Sequence, residues 1–304
     1  MIGYVLAVAA LAGFSANIML ARLGSARLPM NTGYVITVTV NIAFAALLFC
    51  VELAIRSGPL RWNAWGFFLF ALSGFFATYL GRWLVYESIV RLGPAKASAF
   101  QVSSPLFTFL IALVFLGERL SVIALGGMLL TAAGLLLVSL QGARTKPSTA
   151  TTDAPRARRW LRSGLLLGAG SSAAYAVGNV MRGAGVREWN EPIAGALIGA
   201  GAGFAVHLVL GSGHLELARS LRHANRRGIA LFAASGVITI GAQMCAIAAM
   251  RFAPVSVVAL ITLCTPVFVF PLSYFFLHND EGISVRTAVG AVLTLAGIAM
   301  IVLK

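Results

Sequence analysis

Apolar residues fill the chain in long stretches, and polar residues gather in the short breaks between them. A span needs roughly 20 mostly apolar residues to cross about 30 Å of hydrocarbon. Ten stretches meet that requirement: residues 1 to 21, 33 to 54, 64 to 87, 95 to 116, 121 to 140, 161 to 182, 192 to 211, 228 to 250, 255 to 277 and 284 to 303. A lipid-exposed backbone must satisfy its own hydrogen bonds, and a helix does so within one segment. The pattern therefore predicts an all-α membrane protein of ten transmembrane helices. The first stretch starts at Met1 with no basic leader and is too long for a cleaved signal peptide, so it is read as the first helix.

The pattern also repeats. RLGP at Arg91 to Pro94 returns as RFAP at Arg251 to Pro254, 160 positions on, and SPLF at Ser104 to Phe107 returns as TPVF at Thr265 to Phe268, 161 positions on. GMLLTAAG from Gly127 to Gly134 matches GAVLTLAG from Gly290 to Gly297, Asn17-Ile-Met resembles Asn179-Val-Met, and Pro29 and Pro192 follow in turn. Matches in one order at nearly one offset mark a duplication. They divide the chain into a first five-helix repeat at 1 to 140, a basic linker at 141 to 160 and a second five-helix repeat at 161 to 304. Five is odd, so the second repeat enters the membrane upside down. Inverted repeats of this kind build a central site that either side can open.

Pro94, then SSPLFTFL, then LGERLS ending at Ser121, with the echo APVSVVALITLCTPVFVFPLSYFFL, resembles the EamA-type members of the drug/metabolite transporter superfamily over essentially the whole chain. The resemblance implies a secondary transporter, of an architecture whose members handle amino acids, other metabolites, nucleotide sugars and cationic drugs. It also implies cytoplasmic termini. The second half departs from the pattern: LHNDEGIS, Leu277 to Ser284, stands where the first half has LGERLS. No symmetric counterpart of Glu118 is implied.

Composition agrees with a life in lipid, since 59% hydrophobic and 11% charged residues leave too little polar surface for a soluble globule. A net charge of +14 would suggest nucleic acid for a soluble protein. Here the cations sit in the breaks, where they anchor helices at headgroups, and no nucleic-acid partner is expected. The densest run, Arg144 to Arg162 with Asp153 as its one acid, reads as a flexible linker lying on anionic lipid headgroups. Seven of the 23 basic residues (Arg56, Arg61, Arg119, Arg182, Arg187, Arg251 and Lys304) fall on the side of the termini, so the positive-inside rule places both termini in the periplasm, against the resemblance.

Enzyme chemistry finds no foothold. Cys50, Cys245 and Cys264 lie inside spans as small apolar residues, and His207, His214, His223 and His278 show no zinc spacing. No cofactor or metal is expected. Gly195, Gly199 and Gly203 have the spacing of close helix contacts.

Polar side chains within hydrocarbon carry more information, because each is costly unless protein, water or ligand satisfies it. In the third helix Phe75, Tyr79, Arg82, Trp83 and Tyr86 share one face at α-helical spacing, combining aromatic walls with a cation suited to a carboxylate. The competing reading of that stripe is an interfacial aromatic belt with a snorkelling arginine. The fourth helix carries Ser98, Gln101, Ser104, Pro105 and Thr108, and the ninth carries Thr262, Thr265 and Pro266 at the matching place. Each proline breaks the helix and frees the carbonyl four residues earlier. Asn17, Tyr175, Asn179 and Gln243 complete the inward-facing set, with interhelical hydrogen bonding as their alternative role.

The expected site is thus Asn17, Tyr79, Arg82, Trp83, Gln101, Ser104, Tyr175, Asn179, Gln243 and Thr265, with helix breaks at Pro105 and Pro266. The expected function is export of an amino acid or similar small metabolite by alternating access, by a monomer in a bacterial inner membrane. The alternatives are a lipid-carrier flippase of the same architecture and a non-transporting scaffold. All nine acids lie at span ends or in loops, which argues against cationic drugs and leads to an expectation of facilitated diffusion or exchange.

Overall fold

The computed structural model describes residues 1–92, 100–141, 154–210, 225–265, 267–269 and 285–302. Pro94, Ser98, the linker from Arg144 to Asp153, His214, His223, Pro266 and the segment Leu277 to Ser284 with His278 lie outside the described residues. Every regular element among the described residues is helical. Five helical stretches are long and apolar enough to span a bilayer: Ile2–Ser25, Thr32–Ile55, Ala64–Ile89, Pro192–Leu210 and Arg226–Phe252.

The helices are α1 (Ile2–Ser25), α2 (Met30–Ile55), α3 (Ala64–Ser73), a π-helical segment (Gly74–Leu80), α4 (Gly81–Leu92), α5 (Ser104–Phe115), α6 (Val122–Gln141), α7 (Ala154–Glu188), α8 (Pro192–Leu210), α9 (Arg226–Phe252), α10 (Val255–Leu263) and α11 (Val285–Val302). Three differ from the apolar pattern for local reasons. The third span changes winding midway, from α to π and back. The fourth is interrupted at Val102 and Ser103, and α5 starts with Pro105 in its first turn, where the missing N–H costs nothing. The helix that begins the second half starts at Ala154 rather than near 161, again with a proline, Pro155, in its first turn, followed by RARRWLR, rich in good helix formers.

The chain forms two compact units, each drawing segments from both sequence halves. The first comprises Met1–Thr78 and Met181–Ala253. In it α1 lies antiparallel along α9: Gly3 faces Phe252 and Ala253, Gly13 faces Ala242 and Gly24 faces the Phe232 ring. α2 packs on α9 and α8, with Leu28, Ile36 and Phe232 in a common core. The glycines of α8 meet the third span: the Phe70 ring occupies the space beside Gly195, Gly199 lies backbone to backbone against Gly74, and Gly203 abuts Thr78. The π segment thus begins where α8 approaches so closely that a Cβ on Gly74 would collide with the Gly199 carbonyl.

The second unit comprises Tyr79–Val180 and Pro254–Lys304. Its tightest crossing joins α6 to α11 through the duplicated motif. A Cβ on Gly127 would lie 2.6 Å from the Gly297 carbonyl oxygen, and one on Gly134 would lie 2.5 Å from that of Gly290. Between them Thr131 faces Thr294, and each threonine hydroxyl donates back to the carbonyl four residues earlier, on Gly127 and Gly290, at 2.8 Å. Equivalent residues of the two repeats therefore meet in reversed order, so α6 and α11 run antiparallel about the Thr131–Thr294 pair. Glycine permits the approach and the threonines satisfy themselves within it.

Candidate functional site

The break before α5 is a polar junction inside the second unit. At Val102 and Ser103 the chain turns, and the Ser103 N–H and hydroxyl both donate to the Phe100 carbonyl, at 2.9 and 2.6 Å. Two serines of α7 dock against this turn. Ser172 donates to the same Phe100 carbonyl at 2.6 Å, while Ser171 accepts from the Gln101 amide at 2.6 Å and donates to the Gly168 carbonyl at 2.8 Å. Gly168 leaves room for the Phe100 ring, which lies 2.8 Å from where its Cβ would be. Both serines are fully buried and Gln101 is half-buried. Four and eight residues beyond Ser171 on α7 stand Tyr175 and Asn179, both half-buried, on the same helical face.

Ser104 and Pro105 are buried at the start of α5, and Thr108 donates to the Ser104 carbonyl at 2.8 Å. In the second half Thr265 is buried and donates to the Thr262 carbonyl at 2.7 Å, the group a proline at 266 deprives of its usual donor. Pro266 itself lies outside the described residues.

The third-helix stripe is divided by the change of winding. Phe75 and Tyr79 are half-buried within the π segment, and Arg82 is half-buried at the start of α4. Trp83 and Tyr86 are 49% and 47% exposed. The i to i+5 bonding of a π segment places more residues in each turn, so the α-helical spacing that joins Phe75 and Tyr79 to Trp83 and Tyr86 on one face does not hold across it. π segments of this kind recur at functional positions in helices.

In the first unit Asn17 accepts from the buried Ser235 hydroxyl, an α1–α9 bond. Ser235, Thr239 and Gln243 follow one another at intervals of four along α9, and Gln243 is half-buried. Nearby, Thr37 donates to the Phe232 carbonyl at 3.2 Å. The Asn41 amide, turned so that its nitrogen faces two carbonyls, donates to Thr37 at 3.1 Å and Gly236 at 2.5 Å, tying α2 to α9. The Tyr34 and His207 rings meet edge to face at 5.1 Å between α2 and α8.

Sequence reasoning passed over two features. Gly117 takes a φ of +64°, a left-handed turn ending α5 that glycine makes without strain. The turn carries Glu118 to the start of α10, where its carboxylate accepts from the Val255 N–H at 2.7 Å, the Ser256 N–H at 3.4 Å and the Ser256 hydroxyl at 3.1 Å. LGER followed by AP-V-S is the signal, legible only once the two segments are known to meet. The second feature joins Arg56, just past α2, to Glu191, just before α8, at 2.5 Å. Among the described residues no three His, Cys, Asp or Glu side chains converge as a metal would require.

A model of the EamA-like transporter family matches the chain twice, at residues 1–140 and 162–303. A crystal structure described simply as that of a protein is similar in fold, with a TM-score of 0.69 at 20% sequence identity, covering 97% of this chain and 99% of that one. No curated protein matches at a significant level.

Proposed function

The chain belongs to the EamA-like transporter family, and on that premise we propose that it exports an amino acid or similar small metabolite by alternating access between its inverted repeats. Membership and the apolar helices make it a multi-pass integral membrane protein with a small-molecule substrate. The reading of the substrate rests chiefly on the junction where Gln101 meets Ser171 at the interrupted helix. A hydrogen-bonding break within hydrocarbon is expensive unless water or ligand can reach it. Tyr175 and Asn179 extend the same face, and Tyr79, Arg82 and Trp83 offer aromatic surface with a cation for a carboxylate. With Ser104 and Thr265 at the breaks, and Asn17 and Gln243 in the first unit, these residues form the proposed substrate-binding set. The protein acts as a monomer in a bacterial inner membrane, with the basic linker on anionic headgroups.

Uptake of a labelled panel of amino acids and related metabolites into proteoliposomes tests the proposal. Saturable transport of one panel member, weakened by Gln101→Ala, is the expected result. Lipid translocation without solute uptake would assign the chain to the flippases instead, and neither activity would make it a scaffold.

A further inference from the structure

α2 ends and α8 begins at one end of the first unit, and there two carboxyls share one arginine. Arg56 Nη2 lies 2.5 Å from Glu191 Oε1 and 3.5 Å from Glu52 Oε1. The two carboxyls are also within hydrogen-bonding reach of each other. Each spends one oxygen on Arg56. The second oxygen of each, Glu52 Oε2 and Glu191 Oε2, is buried without a donor among the described residues. Glu191 as a whole is only 8% exposed.

Two carboxylates in contact repel, and a buried acceptor without a donor is costly. One proton removes both penalties, because it turns the pair into a carboxyl–carboxylate hydrogen bond and leaves one negative charge for Arg56 to balance. Arg56 keeps its own charge, which the Glu191 hydrogen bond reinforces by pushing the guanidinium above its ordinary range. The electrostatic surroundings of Glu52 are set by Glu191 and Arg56. The other charges at the nearer ends of the neighbouring elements are Arg61 in the α2–α3 connection, Arg187 and Glu188 at the end of α7, Arg251 at the end of α9, placed over the Phe252 ring, and the amino group of Met1; Arg22 of α1, Arg182 of α7 and Arg226 and Arg227 of α9 lie farther along those helices. An anion is favoured at the amino end of α8 and disfavoured at the carboxyl end of α2, so the proton sits on the Glu52 side.

We propose that Glu52 and Glu191 form a binding site for a single proton, whose occupancy sets how firmly α2 is tied to α8 and so couples transport to pH. Protonated, the trio is neutral and the tie holds. When the proton passes to bulk water as pH rises, one unbalanced buried charge remains and the tie loosens. The coupling half of the proposal rests on the transporter reading, while the proton site does not.

Infrared spectra of the full chain in liposomes, taken across a pH titration, test the site directly. The wild type should show a protonated-carboxyl band that disappears as pH rises. Glu52→Gln and Glu191→Gln should each lack it, because the remaining carboxylate then has Arg56 to itself. No titrating band in the wild type, or one that survives both substitutions, overturns the proposal. In proteoliposomes with an imposed pH gradient, wild-type transport should vary by up to about tenfold per pH unit along the titration, and both variants should transport with a flat profile. A pH response that persists in both variants overturns the coupling. Absence of all transport alongside an intact infrared titration would count against the transporter reading and leave the proton site standing.

Discussion

Gln101 shows what one side chain contributes. Its amide is the group that α5's preceding break offers to α7, and Ser171 receives it while giving its own proton to Gly168. Replacing it by alanine removes one hydrogen bond, of about 1 kcal/mol, and leaves Ser171 satisfied as a donor. Gln101→Ala should therefore lower transport several-fold with little loss of folded protein, as measured by uptake alongside size-exclusion yield. Tyr79→Ala should act in the same direction. Trp62→Ala should leave transport unchanged, although its ring lies 5.3 Å from that of Trp189, so about 1 kcal/mol of stability goes with that contact. Glu118 differs from all of these. It serves two N–H groups and a hydroxyl at the start of α10, so Glu118→Ala should cost about 1 to 3 kcal/mol by leaving buried donors unpaired. The measurement is thermal stability in detergent, and Glu118→Gln, which keeps an acceptor oxygen, should recover part of the loss.

At the scale of elements, the glycines decide which helices can touch. α6 and α11 cross on Gly127, Gly134, Gly290 and Gly297, with no space for a Cβ at Gly127, Gly134 or Gly297. Gly134→Leu should force the pair apart, at a cost of about 1 to 3 kcal/mol or more from overpacking, read as a lower melting temperature. Thr131→Cys combined with Thr294→Cys should crosslink under mild oxidation, because the two positions face each other. Either single cysteine should not. The duplication of these motifs was legible in sequence, as was the packing role of Gly195, Gly199 and Gly203. Their partners were not, since spacing says which face is small and nothing about what will lie against it. The same limit explains the third span: its stripe was read at α-helical spacing, and only the contact between Gly74 and Gly199 reveals where the winding changes.

For the molecule as a whole, the apolar stretches and the offset between repeats led to an all-helical membrane protein with two related halves, and the family match covers both. The two halves of the sequence are nevertheless not the two compact units, each of which takes helices from both. Orientation separates two rules that usually agree. A reporter fused after Lys304 should be active outside the cytoplasm if the basic residues govern insertion, and inside if the family pattern does. What the sequence determined by itself was set by solvent and repetition: lipid demands long apolar helices, and duplication leaves a period that can be counted. What the tertiary structure decided was which polar groups meet. Glu118 reaches α10 across 137 residues, Gln101 reaches Ser171 across 70, and Glu52 and Arg56, one turn apart on the chain, meet Glu191, which lies 135 residues beyond Arg56. Such pairings depend on how distant helices cross, and no local pattern of hydrophobic and polar positions encodes that.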